Sequence, residues 1–218
     1  MQLGSFFGIA LAFLAFVNGL ILLMQTIKDR PILRIEAVHP EVYQWYFRIP
    51  SGEYKGYATR KYGFLVYFDV INRGRRSVQV DTWSLKVRSK SGSPEKLKPY
   101  SIPEPSIKLG KAGTKVWPVF GIPGPHTSGS TVVRPGEAVG GFAYYVMMYY
   151  GTSEYDLLVG ERGVQATLEV TSILRQKARK TFLLKEIELK KVQEMLPNIQ
   201  TIDDTCSVET KADDTNGC

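Results

Sequence analysis

Metal or acid–base chemistry in this chain would have to be built from two histidines, two cysteines and a few grouped carboxylates. His39 and His126 each sit beside a proline, in His39-Pro40 and Pro125-His126, and no Cys/His spacing of a metal site accompanies them. Both read as loop residues. The run Gly124-Pro125-His126-Thr127-Ser128-Gly129-Ser130 sets hydroxyls beside a histidine. A serine hydrolase needs an oriented base and an oxyanion hole as well, and Gly-x-Ser-x-Gly does not occur. No phosphate-cradling Gly-x-x-x-x-Gly-Lys-Ser/Thr stretch occurs either, and Gly140-Gly141 within a strand reads as a bulge or a close backbone approach. Glu154, Asp156 and Glu161 are scattered through a turn. These residues point away from an enzyme, and no catalytic, cofactor-binding or metal-ligating residue is expected.

Two sets of side chains are better suited to contact. Arg73, Arg75 and Arg76 crowd one hairpin tip, and Lys28, Arg30 and Arg34 follow the first apolar segment. Guanidinium forks suit phosphate and carboxylate oxygens, so these six are the expected contacts to membrane lipid or an acidic partner, with a solvated turn as the plainer reading. The second set is aromatic. Tyr144, Tyr145, Met147, Met148, Tyr149, Tyr150 and Tyr155 lie close together, and alternate members of a strand face opposite sides. About half belong in a core. Trp45, Tyr46, Tyr145, Tyr149 and Tyr150 are the candidates for an aromatic interface, since Tyr and Trp give large contact area at low entropy cost.

The element that sets the context for both is at the start. Residues 1–27 carry no charged side chain, and Leu3–Met24 is apolar apart from Ser5 and Asn18. Those 22 residues make a helix of about 33 Å, enough for a hydrocarbon core of about 30 Å. Thirteen are Leu, Ile, Phe or Val, which favours insertion by at most roughly 4–8 kcal/mol. A cleaved signal would have a basic n-region, a shorter apolar stretch and a small-x-small site, none of which is found. The expectation is a single uncleaved anchor. The positive cluster after it places the domain in the cytosol and the short N-terminus outside. Gly4, Gly8, Ala12, Ala15 and Gly19 fall within an arc of about 80° at 100° per residue, with Asn18 at its shoulder. Such a face admits another helix closely, and the amide can hydrogen-bond across the contact.

About 190 residues remain, enough for one domain with its own core. Net charge is +7, and the stretch from Leu196 onward carries an acidic excess through Asp203, Asp204, Glu209, Asp213 and Asp214. The domain before it is therefore strongly basic, which suits an anionic leaflet. No helix-turn-helix, zinc-finger or RNA-recognition pattern supports nucleic acid as the partner. Cys206 and Cys218 both lie in that acidic tail, so no disulfide is expected in the core. The boundaries read as 1–27 anchor, 28–196 domain and 197–218 disordered tail.

Short alternating segments dominate the domain. Tyr62–Ile71 is the clearest strand, with Phe64, Val66, Phe68 and Val70 on one face. Asn72-Arg73-Gly74 marks a turn of residues that tolerate positive φ, and Val78–Val87 follows with Trp83, Leu85 and Val87 on one face. Ile32–Val38, Ala138–Met148, Val164–Leu174 and Thr181–Leu189 are further strands, with Val164, Ala166, Leu168, Val170 and Leu174 inward. Residues 99–135 hold seven of the twelve prolines and read mostly as loop, with a short extended piece at Lys115–Phe120. Lys190–Leu196 adds a helical turn. About seven strands in all favour an all-β sandwich or barrel.

The stretch YFDVINRGRRSVQVDTWSLKV (Tyr67–Val87) resembles the first hairpin of immunoglobulin-like and fibronectin-type domains. The later VVRPGEAVGGFAYYV (Val132–Val146) resembles their Pro-Gly-Glu-then-strand segment. The resemblance spans residues 32–190 loosely and implies an immunoglobulin-like antiparallel β-sandwich behind one transmembrane helix. The inter-sheet cysteine pair of antibody domains is absent. Such folds host many functions. The residues together lead to a non-enzymatic accessory or scaffolding subunit of a membrane complex, whose partners are lipid and other membrane subunits or itself. The alternative is an extracytoplasmic module that captures a ligand or polymer in the 99–135 loops.

Overall fold

The computed structural model describes residues 3–37, 42–50, 53–54, 57–102, 106–109, 115–121, 131–150, 155–197 and 199. His39 and His126, the Gly124–Ser130 run and the tail with its two cysteines lie outside the described residues.

A long helix, α1 (Leu3–Lys28), is followed by an all-β domain. Its strands are β1 (Leu33–Glu36), β2 (Gln44–Ile49), β3 (Glu53–Tyr54), β4 (Tyr57–Asn72), β5 (Val78–Arg88), β6 (Pro94–Leu97), β7 (Pro99–Tyr100), β8 (Ser106–Leu109), β9 (Lys115–Pro118), β10 (Val132–Val133), β11 (Ala138–Tyr150), β12 (Val164–Ser172) and β13 (Lys177–Glu186). A short helix, α2 (Leu189–Met195), ends the domain. The additional strands beyond the expected seven are mostly two to four residues long. Several of them lie in the Pro-rich 99–135 region, where β7, β8, β9 and β10 are two to four residues each.

The first sheet is built on β4, which pairs antiparallel with β11 along one edge and with β1, β2 and β3 along the other. β7 extends it beyond β11. In the second sheet β5 pairs with β12, and β12 with β13, while β6 and β10 flank the outer edge of β5. A two-residue parallel pairing, Lys185–Glu186 with Trp45–Tyr46, joins the two.

The sheets pack face to face through the even-numbered side chains of β4. Phe64, Val66, Phe68 and Val70 meet Val78, Val80, Leu85 and Val87 of β5 and Val164, Ala166, Leu168 and Val170 of β12. Leu174 does not join them. It sits beyond the end of β12 in the hairpin and is exposed.

The odd-numbered face of β4 is buried too. Leu65 and Tyr67, with Phe47, Phe142 and Tyr144, lie under a second apolar layer made by Ile102, the β8–β9 hairpin and α2, whose Val192 is fully buried. Leu196 and Ile199 belong to the same layer, so the packed chain runs slightly past the expected boundary at 196. A strand covered on both faces reads as a continuous apolar run, as Phe64-Leu65-Val66-Tyr67-Phe68 does.

Two glycines of β11 permit this packing. A Cβ on Gly141 would run into the backbone of Phe120, and one on Gly140 into the Asp69 carboxylate. The β11–β4 register is unbroken from Ala138 to Tyr150, so close approach rather than a bulge explains the pair. The bulge is in β5, where Thr171 faces Thr82 but Ser172 faces Val80. Asp81 is skipped, which switches the inward phase of β5 from Val78 and Val80 to Leu85 and Val87.

Candidate functional site

The basic residues singled out in the sequence gather at the end of the sandwich from which α1 leaves, and one buried asparagine holds that end together. Asn72 is fully buried. Its side-chain oxygen accepts from the Ile32 amide (3.3 Å) and the Gly74 amide (2.9 Å). Its side-chain nitrogen donates to the carbonyls of Arg76 (2.7 Å) and Val133 (3.0 Å). Its own amide donates to Glu137 O, and its carbonyl accepts from the Gly136 amide. The expected turn is present at residues 73–76, but neither Asn72 nor Gly74 has positive φ. Gly74 is required by proximity, because a Cβ there would meet the backbone of Arg30, Pro31 and Ile32.

These contacts join the helix exit to the hairpin tip. The Arg73 amide donates to Ile32 O (2.8 Å), and Arg76 pairs with Asp29 (3.9 Å) across the junction. Pro31 is buried against the domain. Around this core lies a ring of exposed cations. Arg34 (3.3 Å) and Arg73 (3.1 Å) share Glu36, and Arg134 stands 3.9 Å from Glu137. Among the described residues no carboxylate pairs with Lys28, Arg30 or Arg75. Seven cations therefore surround three carboxylates here, Asp29, Glu36 and Glu137. The structure brings Lys28, Arg30, Arg34, Arg73, Arg75 and Arg76 to one place, with Arg134 as a member that the sequence did not single out.

No protein-family model matches the chain, and no curated protein resembles it in sequence. Among solved structures, a structural-genomics target named SoR45 aligns over 70% of this chain and 85% of its own, at 11% identity and a TM-score of 0.30. The archaellum periplasmic stator complex of FlaF and FlaG from Sulfolobus acidocaldarius aligns over 67% of this chain and 96% of its own, at 9% identity and a TM-score of 0.24. FlaG alone from that organism covers 64% of this chain and 99% of its own, at 9% identity and a TM-score of 0.21. Matches at this level do not establish a shared fold, and what those proteins do does not carry over to this chain.

Gly4, Gly8, Ala12, Ala15, Asn18 and Gly19 all lie within α1, where Ala12, Ala15, Asn18 and Gly19 are exposed and the domain buries none of the apolar segment Leu11–Lys28. That helix is long and apolar enough to cross a membrane.

The aromatic interface is corrected. Tyr46, Tyr145 and Tyr149 are buried between the sheets, and Trp45 is half-buried in the second apolar layer beside Phe142, their rings stacked at 6.0 Å. The side chain of Tyr150 lies outside the described residues. The burial follows from β4 being covered on both sides, which leaves the strands around it few outward positions.

The sequence missed two acid-centred clusters. Asp156 accepts from the Tyr62 hydroxyl (2.8 Å), the Tyr149 hydroxyl and its neighbour's amide at Leu157 (2.9 Å), and pairs with Lys90 (3.1 Å) and Arg60 (3.4 Å). Burial alone would raise its pKa, but the hydrogen bonds from Tyr149, Tyr62 and Lys90 outweigh that and hold it at about 2. Glu169, on the outer face of the second sheet, is buried under Lys86 (3.1 Å), Arg179 (2.7 Å) and Lys96 (3.9 Å). Burial raises its pKa, but the bonds from Lys86 and Arg179 outweigh that, so the net shift is downward. Both clusters close one part of the sandwich surface with satisfied charge. Among the described residues no group of three or more His, Cys, Asp and Glu side chains is arranged to hold a metal.

Proposed function

We propose that this protein is a non-enzymatic, single-pass membrane protein whose β-sandwich serves as an accessory or scaffolding subunit of a membrane assembly. The observation that carries the reading is the pairing of a 26-residue apolar helix, whose segment Leu11–Lys28 the domain leaves uncovered, with a hydrogen-bonded junction that joins its exit to the sandwich. Leu, Ile and Phe side chains uncovered along Leu11–Lys28 need an apolar medium, and a bilayer supplies it. The cation ring at the junction then lies at headgroup level, where each Lys or Arg near an anionic surface contributes on the order of 1 kcal/mol. The arc of Gly4, Gly8, Ala12, Ala15 and Gly19, with Asn18, is the surface for a second transmembrane helix, from another subunit or another copy.

The domain occupies the cytoplasmic side in this reading, because Lys28, Arg30 and Arg34 follow the helix. The functional division is residues 1–27 as anchor, a presented domain from 28 to about 199, where Ile199 still packs in the core, and an acidic tail after it. A compartment-sensitive reporter fused after Cys218 tests the sidedness. Reporter activity on the cytoplasmic side is expected. Activity on the outer side overturns the orientation and makes the domain an extracytoplasmic binding module instead.

A further inference from the structure

The hairpin between β12 and β13 carries two large apolar side chains at its tip, Ile173 at 56% exposure and Leu174 at 64%. The central positions of tight turns favour Gly, Asn, Asp and Ser. Here three hydrogen bonds close the turn: the Ser172 amide donates to Gln176 O (2.9 Å), the Arg175 amide to Ser172 O (2.8 Å) and the Gln176 amide to Ser172 Oγ (3.1 Å). Arg175 closes it with a φ of 59°. The ordered backbone therefore presents Ile173 and Leu174 outward, with the exposed cations Arg175 and Lys177 just behind them.

The location of the tip decides what it meets. The Ile173 amide donates to Gln79 O (3.1 Å), Gln79 pairs with Val132, and the carbonyl of Val133 accepts from Asn72, the residue that also holds Ile32 at the helix exit. At about 4.8 Å per strand these steps place the tip roughly 15 Å to the side of the exit of α1, on the same end of the sandwich. Ile32 and Val132 are exposed between the two. At the opposite end, by contrast, the exposed Leu158 and Val159 stand beyond β12's first residue, away from the anchor.

We infer that the Ile173–Leu174 tip inserts into the interface of an anionic bilayer, so that the domain is attached at two points and lies with its basic end against the membrane. The occupant is lipid rather than protein because the patch combines apolar side chains with cations, as an anionic headgroup–acyl boundary requires, and because it lies on the end that α1 already draws to that surface. The inference rests on the reading of α1 as membrane-spanning.

The test uses the full chain with Cys206→Ser and Cys218→Ser, reconstituted in vesicles of phosphatidylcholine with a minority of phosphatidylserine. A single cysteine bearing an environment-sensitive fluorophore is placed in turn by Leu174→Cys, Val159→Cys and Leu20→Cys, and each is challenged with lipid carrying a quencher high on its acyl chain. The label at 174 is expected to be quenched several-fold more than the label at 159, and more strongly with phosphatidylserine than without. Quenching at 174 no greater than at 159, with the label at 20 protected in the bilayer, overturns the insertion and leaves the anchor standing. A label at 174 that is unquenched in pure lipid yet becomes buried in native membranes also overturns it, in favour of a protein partner at the tip. A label at 20 that is open to aqueous quenchers overturns the anchor itself, and the insertion with it.

Discussion

Single side chains at the two ends of the sandwich hold it by different physics. Asn72 uses both donors and its acceptor oxygen, so Asn72→Ala leaves the Ile32 and Gly74 amides and the Arg76 and Val133 carbonyls without their partner. A loss of about 3 kcal/mol is expected in urea unfolding, since each stranded buried group costs about 1–3 kcal/mol. Asp156 acts through charge. Its carboxyl titrates at about 2 in the folded state against 3.8 ordinarily, so its contribution is complete above about pH 4 and is lost as the pH falls toward 2. Asp156→Asn should therefore cost about 2 kcal/mol near neutral pH, and that difference should vanish in acid when both proteins are unfolded across the range. A difference that stays constant with pH would show that the carboxylate's charge is not what matters. The sequence marks Asn72 as a turn residue by type and leaves Asp156 among scattered carboxylates. Tyr62 is 94 positions from Asp156 and Lys90 is 66 positions away, so only folding makes them a cluster.

At the level of elements, β4 is the axis of the fold, and the alternation of Phe64, Val66, Phe68 and Val70 identifies its inner face directly. The intervening Leu65 and Tyr67 were equally apolar, which is the local sign of cover on both sides. The helical turn at 190–196 and the extended piece at 115–120 were readable, but elements of four to seven residues carry too little periodicity to show that they lie over that second face. The same cover half-buries Trp45, while Tyr46, Tyr145 and Tyr149 face the other sheet, so the expected aromatic surface is core. The phase switch in β5 was hidden for a similar reason: a skipped residue at Asp81 is set by its partner strand, not by its neighbours. Close packing around β11 predicts that Gly141→Ala will destabilise by about 2–3 kcal/mol, because the added methyl meets Phe120 backbone and not a side chain that can turn away. Thermal unfolding by circular dichroism checks this, and Gly136→Ala is a poor control because Gly136 has a φ of 74°, whereas the exposed Ala138→Ser should leave the midpoint unchanged.

For the molecule as a whole, the sequence conveyed an apolar helix, a junction of positive charge and an all-β domain, and these are the parts that the structure assembles at one end. The helix face is the remaining testable surface. Gly8→Leu with Ala12→Leu should weaken helix–helix association in membranes, read as loss of crosslinked or co-purified partners, while leaving the domain's unfolding transition where it was. Unchanged recovery of the same partners would remove the helix contact from the account. The doubly covered central strand also has a consequence for how the protein is made. α1 leaves the ribosome before the domain, and β4, complete at Asn72, can pair at once with β1, β2 and β3 along one edge but not along the other until β11 ends at Tyr150. At about 5–20 residues per second that interval is several seconds. During it, one long edge of the central strand stays unpaired, and β12 and α2, which complete the cover of its two faces, are not yet made, so synthesis is the stage at which this chain is most exposed to aggregation or to capture by a chaperone.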